Sequence, residues 1–153
     1  MARGVVFAIG MSLALSGCGG DHVPPPRAVH PVEGQVIWNG KPLVGARVTF
    51  YPKSWKTDKG NNYPTALTGP DGRYKLTTHA ANDGAPEGEY TVLVVYNELV
   101  PVGEGKMPGA NVLPKKYERP ETSGLDVQVA KGPNVVPPFD LKASPEDAKK
   151  KKT

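Results

Sequence analysis

Thr65-Ala66-Leu67-Thr68-Gly69-Pro70-Asp71-Gly72-Arg73-Tyr74-Lys75-Leu76 opens the stretch on which the fold depends, and Pro86-Glu87-Gly88-Glu89-Tyr90-Thr91-Val92-Leu93-Val94-Val95-Tyr96 closes it. Pro70 presets φ for a turn, Asp71 can bond its own backbone, and Gly72 supplies the positive φ of a bulged hairpin joining two short strands. Beyond the turn Tyr74 and Leu76 fall on one face, while Arg73 and Lys75 fall on the other. Gly88 then launches the longest strand. Tyr90, Val92 and Val94 point inward, yet Leu93 and Val95 are apolar too. Apolar residues on both faces predict a central strand covered by other parts of the chain, with Leu99–Val102 and Val112–Pro114 as the available cover. An Asp-Gly pair also occurs in calcium loops, but those need further carboxylates at fixed steps, where this segment has Thr68 and Pro70. Turn chemistry is the reading.

Working outward, Val32-Glu33-Gly34-Gln35-Val36-Ile37-Trp38 alternates at period two, and Asn39-Gly40 is a strong turn dipeptide. Ala46, Val48 and Phe50 share the inner face of the next strand, and Arg47, Thr49 and Tyr51 its outer face. Downstream, Asn97 to Gly124 reads as a long loop holding one helical turn that lays Leu113 and Tyr117 on the core. Leu125 to Val129 alternates again, Lys131 to Asn134 turns, and Val135 to Leu141 carries two prolines, which fits an edge or broken strand. Seven short strands with turns between them predict an all-β fold, a seven-stranded antiparallel Greek-key β-sandwich over residues 32–142.

The ends of the chain are different. Arg3 and the apolar run Val5 to Leu15 have the form of a signal peptide and are too short for a comfortable membrane span. The run ends in Leu15-Ser16-Gly17-Cys18, which resembles the bacterial lipobox, with Cys18 as the nucleophile that takes the diacylglycerol. Residues 1–18 are thus expected to be a lipoprotein signal peptide, and several acyl chains (palmitate among them) on Cys18 would hold the protein to a membrane outside the cytoplasm. Residues 19–31, with Pro24 to Pro26, read as an extended flexible linker. Residues 143–153 read as a disordered lysine-rich tail. The net charge of +4 lies in Lys149 to Lys152, and the remainder of the chain is neutral. That argues against a nucleic-acid partner, which needs a basic stripe on the fold itself.

Three segments together resemble a family. Val32 to Val36 with Asn39 to Phe50 looks like the opening hairpin of carboxypeptidase regulatory-like domains, which have the transthyretin-like (prealbumin-like) fold. Thr68 to Leu76 followed by Pro86 to Val92 is similar to that family's middle. Leu113 to Tyr117, Thr122 to Leu125 and Gly132 to Asn134 resemble small bacterial lipoproteins built on the module. The resemblance implies an accessory, adhesive or structural sandwich. One fold relative is a hydroxyisourate hydrolase with several histidines, an arginine and a C-terminal Tyr-Arg-Gly-Ser motif. This chain has one histidine in its domain and lacks the motif.

These features favour a non-catalytic, lipid-anchored envelope module, without cofactor or metal, whose partner is an envelope protein or polysaccharide. His22 and His30 share no spacing with a third ligand. The alternative is a carbohydrate-binding module stacking sugars on Trp55, Tyr63 and Tyr51. A small hydrolase using His79 with Asp83 or Glu87 is the third reading; no nucleophile motif accompanies that histidine.

Overall fold

The computed structural model describes residues 27–54 and 63–143. Cys18 with its lipobox, Trp55 and the lysine run lie outside the described residues. In chain order the strands are β1 (Val29–His30), β2 (Val32–Trp38), β3 (Lys41–Pro42), β4 (Arg47–Pro52), β5 (Thr65–Leu67), β6 (Arg73–Lys75) and β7 (Ala85–Pro86). They continue with β8 (Gly88–Val95), β9 (Asn97–Val102), β10 (Gly105–Asn111), β11 (Asp126–Val129), β12 (Asn134–Val135) and β13 (Phe139–Leu141). A single 3-10 turn spans Lys115–Glu118.

Two sheets form the body. One has the order β11-β8-β4-β5; the other is centred on β2, which pairs with β6, β3, β12 and β13. With β12 and β13 taken as one interrupted strand and β3 as the stub of the Asn39-Gly40 hairpin, the sandwich sets four strands on three, as the alternation predicts. Phe50 of one sheet meets Tyr74 of the other edge-on, with ring centroids 6.4 Å apart. Around them Val36, Val48, Leu76, Tyr90, Val92, Val94 and Leu141 are buried. The inward residues expected from period two are the buried ones.

The pairing departs from a wholly antiparallel sandwich. β12 and β13 both run parallel to β2. The break between them falls at Pro137-Pro138, because two successive residues without N–H groups cannot continue a ladder.

The turn at Pro70-Asp71-Gly72 also behaves differently from a simple hairpin. β5 pairs with β4 and β6 with β2, so the turn carries the chain from one sheet to the other. Gly69 and Gly72 close its apex with a 2.9 Å backbone bond, and reciprocal bonds between Thr65 and Thr77 tie its base. Gly72 has φ +72, and a Cβ there would lie 2.7 Å from the Val36 carbonyl oxygen. The turn thus presses its backbone onto β2, and only glycine fits.

β8 lies between β11 and β4, as expected of a strand apolar on both faces. Its cover comes from one of the two expected segments. Leu113 and Tyr117 are buried at the 3-10 turn, whereas Leu99, Val100 and Val102 are exposed. Residues 97–111 form an antiparallel β9–β10 ribbon turning at Gly103, in place of a loop. Val29 and His30, placed in the linker by composition, pair with Pro86 and Ala85 and belong to the domain.

Candidate functional site

The outer face of the four-stranded sheet presents Arg47, Thr49 and Tyr51 from β4 opposite Val95, Leu93 and Thr91 from β8. Tyr63, just before β5, brings its ring to 5.2 Å from that of Tyr51, tilted by 44°. Tyr63 is 38% exposed and Tyr51 half-buried. Two of the three expected stacking residues therefore stand together. Their rings are inclined, so they form a ridge more than a flat platform. At the far edge of this face Lys53 pairs with Asp126 at 3.0 Å. The Lys53 ammonium, with a hydrogen bond from Thr91 Oγ1, holds the Asp126 carboxyl below its usual range.

The hydrolase residues are arranged as a structural staple. Asp83 accepts backbone N–H groups from Thr78 at 2.7 Å, His79 at 2.9 Å and Ala80 at 2.8 Å. Burial alone would raise this carboxyl, but the three donors and the His79 charge outweigh it and hold it below the ordinary value. The carboxylate is spent on closing the loop, and it meets the His79 backbone. Next to it Gly84 crosses β1 so tightly that a Cβ would overlap the His30 carbonyl oxygen.

A cleft was not foreseen from the residues. A cleft of about 570 Å³ is lined by Glu33 and Gln35 of β2, Arg73 and Lys75 of β6, Asp71 of the turn and Asn82, with the backbones of Gly34 and Gly69. Lys75 stands opposite Glu33 in register, 4.0 Å away, and Arg73 Nε lies 3.5 Å from Asp71. Gln35 Nε2 donates to the Asp71 carbonyl at 2.8 Å. Tyr74, which pairs with Gly34, also lines the cleft. Its ring fills the space a side chain at 34 would need, and its buried hydroxyl has no hydrogen-bond partner among the described residues. Burial pushes that phenol upward, so it stays neutral. The phenol of Tyr90 is also pushed up by burial, to about 12, against the opposing pull of Arg27, and it donates to the Pro86 carbonyl at 2.7 Å. The period-two pattern put Tyr74 inward; only the register, which sets it on a glycine, leaves its hydroxyl without a partner.

Among the described residues, no group of three or more His, Cys, Asp or Glu side chains is placed to hold a metal ion.

No protein-family model and no curated protein matches the chain. Among solved structures it is similar to a 9R-lipoxygenase from Cyanothece PCC8801, at 12% identity and TM-score 0.42 over 74% of this chain. It is similar to the major pilin subunit of Bacillus cereus, at 13% identity and TM-score 0.40 over 75% of this chain. A DUF3823 family protein from Parabacteroides merdae shows 17% identity and TM-score 0.40 over 78%. The chain spans 16%, 30% and 48% of those three chains respectively. The sandwich assignment rests on the strand pairing itself.

Proposed function

We propose that the protein is a lipid-anchored component of the bacterial cell envelope whose transthyretin-like sandwich serves as a non-catalytic binding or spacing module. One observation carries the reading. Leu15-Ser16-Gly17-Cys18 closes an apolar run of signal-peptide length, and a proline-rich stretch separates it from the first strand at Val29. Small residues before the cysteine suit a narrow peptidase site, and a thiol there is the group that accepts the lipid. Cys18→Ala should leave the precursor uncleaved and unlabelled by palmitate. Normal acylation of that variant would sink the anchor. Crosslinking in the native envelope, read by mass spectrometry, identifies the partner.

Carbohydrate binding on the outer face of the four-stranded sheet is the second reading, and the paired rings of Tyr51 and Tyr63 favour it. A glycan array comparing the wild type with Trp55→Ala and Tyr63→Ala tests it. Unchanged binding in both variants removes these aromatics from the site. Hydrolysis through His79 has less support, because Asp83 is committed to three backbone donors.

A further inference from the structure

We infer that the cleft between the Pro70-Asp71-Gly72 turn and β2 is a binding site for a neutral saccharide, read by Glu33, Gln35, Asp71, Arg73, Lys75 and Asn82. This rests on the reading of the domain as a binding module, and it assigns that module a site separate from the tyrosine ridge.

Three properties of the cleft select the ligand class. Its volume of about 570 Å³ is that of a small-molecule site, with room for one or two sugar rings. Its charges cancel, Glu33 and Asp71 against Arg73 and Lys75, so a strongly anionic or cationic ligand gains little there. Its polar groups are mostly planar, namely two carboxylates, two amides and a guanidinium. Planar groups present two acceptors, two donors or one of each side by side, which is what adjacent hydroxyls on a sugar ring require. Val135, 77% exposed, and Leu67, 65% exposed, stand at the same cleft and offer apolar surface to the C–H face of a ring.

A peptide fits less well. Strand addition needs a run of free backbone groups, and β5 and β6 are three residues each. Their flanks are already used, with Thr65 bonded to Thr77 and Thr68 to Ala46.

The test is a glycan array of neutral and acidic oligosaccharides probed with the mature acylated protein in detergent, followed by calorimetric titration of the best neutral glycan. The expected result is retention of a neutral glycan, with at least a tenfold loss of affinity in Arg73→Ala and in Gln35→Ala. Tyr74→Phe should bind as the wild type does and melt no lower, because its hydroxyl is buried on the face of the sheet opposite Arg73 and Lys75. Binding of acidic glycans alone overturns the proposal, as does unchanged affinity in both Arg73→Ala and Gln35→Ala. Binding that is lost in Tyr63→Ala but kept in Arg73→Ala moves the site to the tyrosine ridge and overturns the cleft while the module survives. No glycan retained, with a protein captured by envelope crosslinking, overturns the saccharide and leaves the binding module standing.

Discussion

Gly72 shows how one residue sets the relation of two sheets. Its φ of +72 excludes most side chains, and the Val36 carbonyl oxygen lies where a Cβ would go. Gly72 also accepts the Val36 N–H at 2.9 Å, so the close approach is bonded as well as tight. Gly72→Ala is expected to cost about 2–3 kcal/mol, measured by chemical denaturation, because backbone strain and steric overlap act together. Asp83 makes a different contribution. Its folded-state carboxyl lies below the ordinary value of 3.8, so its stabilisation is present above that value and fades as the pH falls through the lower folded one. Asp83→Ala should cost about 1–2 kcal/mol at neutral pH, the cost of losing a cap on several N–H groups. Its melting temperature should also fall less steeply than that of the wild type as the pH drops below about 4. A parallel decline of the two would show that the staple does not depend on the charge of the carboxylate. Gly72 was legible as a turn former, but what it touches was not, because Val36 is remote in the chain.

At the scale of the element, the β9–β10 ribbon explains what period and punctuation miss. Pro101 and Pro108 read as breakers, yet both lie in strands, opposite Lys106 and Leu99. A proline nitrogen has no hydrogen, so each can stand only where the nitrogen faces away from the partner strand. Among the described residues the ribbon pairs with no other strand, so both outer edges are open, and each lacks a donor where an incoming strand would need one. With Leu99, Val100, Val102 and Met107 exposed, those edges would otherwise be adhesive. Replacing both prolines with valine should leave the melting temperature nearly unchanged but increase self-association in sedimentation velocity. A monomeric double variant would show that the prolines guard nothing. The long strands were legible because alternation survives any context. This ribbon was not, because the same prolines that protect it disguise it.

For the whole molecule, the class and the core followed from the pattern: Val36, Val48, Phe50, Tyr74, Leu76, Tyr90, Val92 and Val94 are all buried. The direction of the last strands did not follow, since a broken strand can dock either way until the fold closes. The cleft was equally hidden, because Glu33 and Gln35 meet Arg73 and Lys75 only through the register of β2 with β6. The parallel docking of β12 and β13 on β2 has a mechanical consequence. The Val32 end of β2 and the Leu141 end of β13 point in opposite directions. Tension between them slides the strands along each other, so the bonds from Asn134 to Pro31 and from Val136 to Glu33 are strained together. The ribbon pulled by Asn97 and Asn111, its two root residues, would instead unzip one pair at a time. Pulled in a force spectrometer, the Val32–Leu141 geometry should rupture at a clearly higher force than the Asn97–Asn111 geometry, and equal forces would refute this shear path. Load entering through the chain before β2 and leaving through the chain after β13 would then act along the shear direction, the stronger of these two.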